Sequence, residues 1–289
     1  MPGSAGAPLV SLMAAGFRAA RRTPGGRAGL AFLFFLVLLA LFGPLLLPDP
    51  FHQFDLLEAS NTAPGPDHPF GTDQLSRDVL SRVVSGARIS LAVAALAVAL
   101  SVTLGAGIGL VAGYWGGPVD ATLMRLVDGA LAIPRLFLLL LVLSVPERVP
   151  LFALILLIGA TGWFTTGRVV RAETLRLREE TFVRAAEALG ASRRRIIFRH
   201  LLVNTAGPLL VAATLGVGDV ILLEAGLSYL GLGVQPPTPS WGGMIMDARP
   251  VLEAAPWVGI FPGLAITLTV LATNLVGDAL REALDPRGA

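Results

Sequence analysis

The sequence predicts an all-α, polytopic membrane protein built on six transmembrane helices. Three observations carry this. Hydrophobic residues make up 54% of the chain and charged residues 15%, against roughly 25% charged in soluble domains. Uncharged runs of about 20 residues recur, each long enough as a helix to cross a hydrocarbon core of roughly 30 Å. The arginines are also unequally shared between alternate connecting segments, as membrane insertion requires.

Residues 1–27 form a basic N-terminal segment with Arg18, Arg21, Arg22 and Arg27, and 28–47 the first span. The basic lead would suit a secretory signal. The run is long, however, and Leu45-Leu46-Leu47-Pro48 is a poor small-residue cleavage site, so a retained anchor is expected. Residues 48–87 form an outer segment. A core of 88–281 holds the other spans: 89–119, centred on 91–111; 121–145; 149–167; 201–218, with apolar character continuing to 232; and 254–277. A tail, 282–289, follows. The third of the six spans is amphipathic. Its apolar part, 136–145, is too short to cross alone, and extending it back to Ala121 brings Arg125, Asp128 and Arg135 into the helix. Charges inside a span usually turn to the bundle interior or a water-filled path.

Orientation follows from the arginines. With the N-terminus inside, the inner segments hold 16: four before the first span, Arg125, nine in the loop, Arg281 and Arg287. The outer segments hold five, Arg77, Arg82, Arg88, Arg148 and Arg249. Both termini and the polar loop 168–205 are then expected in the cytoplasm.

The chain has neither cysteine nor lysine. That excludes disulfides, thiolate metal sites, the lysine of a P-loop and lysine Schiff bases. His52, His68 and His200 are scattered along the sequence, so no convergent metal site is expected. No cofactor, no nucleic-acid partner and no catalytic residues are expected in this chain. A serine-lysine dyad and a His-Glu-x-x-His helix are likewise missing, which argues against an intramembrane enzyme.

The segment from Arg168 to His200 carries nine arginines against four glutamates. It reads as a helix over 167–189 supported by a Glu180/Arg184 pair, a left-handed end at Gly190, an N-cap at Ser192 and a short helix over 193–202. Arg193, Arg194 and Arg195 then fall in a first helical turn, where the dipole disfavours cations. Two readings stay open: a basic loop lying on anionic membrane lipid, or a docking site for a protein partner.

Phe182-Val183-Arg184-Ala185-Ala186-Glu187-Ala188-Leu189-Gly190-Ala191-Ser192 with Ile196-Ile197-Phe198-Arg199-His200-Leu201-Leu202 resembles the EAA loop of ABC importer permeases. Ala185, Ala186 and Gly190 match the motif's alanines and glycine. Arg184 stands where its glutamate is expected, and Val203 where its proline is. Further stretches resemble the dipeptide/oligopeptide branch, C-type subunit: His68-Pro69-Phe70-Gly71-Thr72-Asp73 with Ser76-Arg77-Asp78; Glu224-Ala225-Gly226-Leu227-Ser228-Tyr229-Leu230-Gly231 through Pro236-Pro237-Thr238-Pro239-Ser240-Trp241-Gly242; and Asn274-Leu275-Val276-Gly277-Asp278 with Leu284-Asp285-Pro286-Arg287.

The resemblance implies a type I ABC importer permease fold in a bacterial or archaeal cytoplasmic membrane. It also implies a second, homologous permease subunit, an extracytoplasmic substrate-binding protein and two ATPases that use ATP-Mg. Arg184, Ala185, Ala186, Glu187, Gly190, Ala191 and Ser192 would form the coupling tip. The implied substrate is a dipeptide or oligopeptide, with nickel chelates or oligosaccharides in related branches. A proton-driven transporter using Asp219 and Glu224 is the rival reading.

Asp219, inside the fifth span, is either a cavity contact for a peptide amine or cation, or a structural partner for Arg125 or Arg135. Arg135, after Pro134, either lines the pathway or pairs with Asp219. Arg125 and Asp128 are expected as a surface ion pair, less central to the pathway. Glu224 is expected to be structural, fixing the outer segment that follows it. Gly105, Gly107 and Gly109 are read as helix-packing positions, and Tyr114-Trp115 as an interfacial anchor.

Overall fold

The computed structural model describes residues 18, 20–56 and 59–284. Residues 1–17 of the N-terminal segment and 285–289 of the tail, including Asp285-Pro286-Arg287, lie outside them. Among the described residues regular structure is helical, apart from an isolated bridge between Thr72 and Asp78.

Helix α1 (Pro24–Leu46) starts at Thr23, whose hydroxyl oxygen accepts from Gly26 N at 3.1 Å, the side-chain cap a helix start needs. Helix α2 (Val79–Trp115) is capped by Asp78, which accepts from Ser81 N at 2.7 Å. Its 37 residues span roughly 55 Å, so it projects beyond the hydrocarbon. Helix α3 (Gly117–Leu131) and helix α4 (Arg135–Leu143) follow, bent by 78°.

That bend corrects the expectation of one continuous amphipathic helix over 121–145. Pro134 lacks an N–H and pushes Ile133 out of the helical region. A new helix starts where Phe137 N and Leu138 N donate to Pro134 O. Helix α5 (Leu151–Arg178) and helix α6 (Thr181–Ala188) lead into three short pieces, Arg193–Arg195, the π-helical turn Ile196–Leu201 and Leu202–Asn204. Helix α7 (Ala206–Tyr229), the short helix α8 (Trp241–Ala248) and helix α9 (Trp257–Leu284) complete the chain. Five helices are long and apolar enough to cross a membrane, and the bent α3/α4 pair makes six if taken as one broken span.

The core gathers around α2. Val93, Ala94, Ala97 and Val98 pack with Leu154 and Ile158 of α5, Leu139 and Leu143 of α4, Val220 and Ile221 of α7, and Trp241 of α8. Trp241 is fully buried; its indole N–H donates to Val83 O at 3.0 Å and its backbone N–H to Ser90 Oγ at 3.2 Å. Toward the polar-loop end, α2 and α5 meet through small residues. A Cβ on Gly105 would lie 2.7 Å from Thr166 Cβ, one on Gly109 2.6 Å from Gly167 O, and one on Gly113 2.6 Å from Thr174 Cβ. Helices approach this closely only where side chains are small. Gly107 faces open space instead: a helix turns 100° per residue, so it cannot share a face with Gly105 and Gly109.

The end of the bundle away from the polar loop, expected to be the outer one, is closed by a buried polar cluster. Arg77 pairs with Asp73 at 2.7 Å, and Arg82 lies 3.5 Å from Asp73 and 3.1 Å from Asp247 of α8. Burial pushes the Asp247 carboxyl above its usual range, against the pull of Arg82 and Arg77. His68 sits 3.1 Å from Asp78. His52 and His68 are not scattered as expected: both rings pack edge-on against Phe54, each 4.8 Å away. His200 lies apart from them, its ring 6.3 Å from that of Phe182.

Glu224 accepts from the hydroxyls of Ser228 at 2.6 Å and Ser240 at 3.0 Å. Ser240 is the N-cap of α8, so this carboxylate does fix the outer segment.

Candidate functional site

A cavity of about 560 Å³ lies among α2, α4, α5 and α7. Its middle is lined by Val98, Ser101, Gly162, Thr165, Thr166, Leu215, Arg135 and Asp219; toward the polar-loop end it reaches Gly207, Pro208 and Arg281. Two charged side chains from different helices therefore share one cavity at mid-bundle depth. Restarting the helix after Pro134 puts Arg135 at the head of α4. Its Nε donates to Thr161 Oγ1 at 3.2 Å and its Nη2 to Ile158 O.

Asp219 is exposed in the single subunit and enters no ion pair or hydrogen bond among the described residues. The structural pairing expected with Arg135 or Arg125 is thus not formed, because Arg135 is already held by α5. Arg125 and Asp128 lie outside this cavity, and they do not pair with each other. Asp128 takes Arg168 of α5, and Asp120 takes Arg171 of α5 at two points. A partner forty residues away in sequence is closer than the neighbour on the same helix. Ser101, Thr161 and Thr166 escaped the sequence reading. Their signal was present as small polar residues inside apolar runs.

The polar loop is built on the end of α5. The expected single helix over 167–189 is broken: α5 ends at Arg178, and α6 begins at Thr181 after Glu179 and Glu180. The break lets Val183, wholly buried, pack with Leu177, Ile196, Ile197 and Leu201. It also re-sorts the ion pairs. Arg176 bridges Glu173 at 2.7 Å and Glu180 at 2.9 Å, while Arg184 bonds Glu179 and not Glu180. That bond from Arg184 holds the Glu179 carboxyl below the ordinary range. Arg178 Nη1 donates to Tyr114 O at 3.0 Å, tying the stem to the end of α2.

Burying Val183 turns Arg184, Ala185, Glu187, Ala188, Leu189 and Gly190 outward, while Ala186 and Ala191 are half-buried. Leu189 is 88% exposed. The tip ends in a double turn: Ala191 N donates to Ala186 O at 3.0 Å and Gly190 N to Glu187 O at 2.9 Å, with Gly190 at φ +78°. This is the glycine-dependent C-terminal motif of helices. Ser192 then caps the next turn, its oxygen accepting from Arg195 N. Arg193, Arg194 and Arg195 are exposed and enter no ion pair among the described residues.

Comparison with known proteins bears on both features. Residues 105–288 match the family described as binding-protein-dependent transport system inner membrane component, and residues 11–64 the N-terminal transmembrane domain of oligopeptide transport permease C. The dipeptide transport system permease protein DppC of Alkalihalophilus pseudofirmus is 42% identical over 261 residues, 90% of this chain and 84% of that protein. A putative peptide permease protein of Brucella suis is 44% identical over 275 residues, 93% and 90% of the two chains. The oligopeptide transport system permease protein OppC of Bacillus subtilis is 39% identical over 259 residues, 90% and 84%.

An all-helical multi-pass bundle with an internal cavity and an ordered polar loop fits that match over most of its length. The chain therefore belongs to the binding-protein-dependent transport system inner membrane components, as a permease subunit of an importer that works with an ATPase and a binding protein.

Proposed function

We propose that this subunit carries dipeptides or oligopeptides inward, as one of two homologous permeases joined to two ATPases and an extracytoplasmic binding protein. Relatives named for dipeptide and oligopeptide transport support the cargo. Both termini and the polar loop face the cytoplasm, in keeping with the arginine distribution. The chain performs no covalent chemistry and holds no cofactor; ATP-Mg is bound and hydrolysed by the partners.

The observation that carries this reading is the exposed tip of α6. Ala185, Ala186, Gly190, Ala191 and Ser192 form a small-residue knob, flanked by Arg184 and Glu187, on a stem braced by its own apolar cluster. Small side chains permit close docking in a groove of an ATPase, and Leu189 supplies an apolar contact. The bracing lets force pass from that knob to α5, whose Thr165 and Thr166 line the cavity with Arg135 and Asp219. Extension of the cavity to Arg281 and Pro208 fits a state open to the cytoplasm. ATP-driven closure of the ATPases would turn it outward to receive cargo, and hydrolysis would return it. In this scheme Asp128, with Asp120, ties α3 to α5 at the surface, and Arg125 is exposed nearby on α3, with membrane lipid around them.

Affinity purification of the tagged chain from native membranes tests the reading. A homologous permease and P-loop ATPases should copurify. Recovery of the chain alone, with uptake that survives ATP depletion, would overturn it in favour of a proton-driven transporter.

A further inference from the structure

Resting on the peptide-importer reading, we infer that Asp219 is the residue by which the cavity prefers substrates bearing a positive group. An ionised side chain at mid-membrane depth is expensive unless paired, hydrated or used. Among the described residues Asp219 has neither ion pair nor hydrogen bond, although Arg135 faces the same cavity. Arg135 is committed to the protein: Nε and Nη2 are held by Thr161 and Ile158, so its guanidinium is turned to the wall of α5. The opposite charge faces the same cavity without occupying the oxygens of Asp219. Among the residues that line the cavity, Asp219 is the one acid. Around it stand Val98, Leu215 and Val220, which offer an ammonium or guanidinium nothing else of opposite charge. The remaining cation, Arg281, is at the loop-end mouth. A charge-assisted hydrogen bond from a substrate cation to Asp219 is worth about tenfold in relative passage.

The test uses the purified complete importer in proteoliposomes and three peptides, Ala-Lys-Ala, Ala-Gln-Ala and Ala-Glu-Ala. Uptake of each is divided by its measured occupancy of the binding protein, which removes selection at that step. The wild type should move the lysine peptide about tenfold faster than the glutamate peptide, Asp219→Asn should level the three, and Asp219→Glu should keep the order. If Asp219→Asn slows all three alike, or if it releases the second permease on purification, Asp219 is structural and the inference fails alone. A wild type that moves none of the bound peptides overturns the peptide reading and this inference with it.

Discussion

Glu224 and Ser240, sixteen residues apart, meet through a 3.0 Å hydrogen bond in which the serine hydroxyl donates to the carboxylate. The same serine oxygen accepts from Gly243 N at 3.1 Å and so starts α8. A buried carboxylate in α7 thereby sets where the outer helix begins. Glu224→Ala would strand two buried hydroxyls and leave a void, a loss of about 3 kcal/mol. Glu224→Gln keeps one acceptor oxygen and should lose less. Thermal unfolding in detergent, followed for both variants, should rank them in that order.

At the α2/α5 contact, a Cβ added to Gly109 would lie 2.6 Å from the carbonyl oxygen of Gly167, too close to be admitted. Backbone cannot yield as a flexible side chain can. Gly109→Val should cost about 1–3 kcal/mol and separate the helices, whereas Gly107→Val should be nearly silent because nothing lies within 4 Å. Comparing the yields of folded, monodisperse protein from the two variants checks this.

Gly190 differs in kind. Open space surrounds its Cβ position, but its φ of +78° is one that other residues reach only at a cost. Gly190→Ala should lose about 1 kcal/mol locally and Gly190→Asn less. Gly190→Glu adds a charged bulk to the tip, and should leave the bundle intact while abolishing uptake and ATPase recovery. Normal ATPase copurification with Gly190→Glu would remove the docking assignment.

The outer cluster gives a fourth expectation. Asp73 is 2% exposed and serves both Arg77 and Arg82. Asp73→Ala leaves two buried guanidinium groups short of a counter-ion, a loss of about 3–5 kcal/mol. Asp247, whose side chain is 26% exposed, should be more tolerant of Asn. Resistance of the outer segment to protease separates the two variants.

These residues also show what the sequence could disclose. The Gly190 turn and the Ser192 cap were legible because each is a local bargain between a side chain and the backbone beside it. So was the role of Glu224, through the run that follows it. The break at Glu179 and Glu180 was not: both are good helix formers, and the cause is Val183, which reaches Ile196 and Leu201 only if the chain turns. Asp128 likewise took Arg168 over Arg125 because tertiary packing brought α3 alongside α5. Periodicity carries no information about that partner. The cavity itself was half legible. Arg135 and Asp219 stood out in apolar runs, but whether they would neutralise each other depended on Thr161 and Ile158 holding one of them.

Helix α5 has no joint between Leu151 and Arg178. Its middle forms a wall of the cavity, its lower part rests on the glycine face of α2, and its end carries the loop tip on a braced turn. A seat of small residues resists sliding less than interlocked side chains would. The arrangement is that of a lever on a smooth fulcrum: a push at the tip tilts the whole rod, and the cavity wall must swing with it. Stiffness, not suppleness, is then the property by which an ATPase docked at the tip, as proposed above, would set the width of the passage.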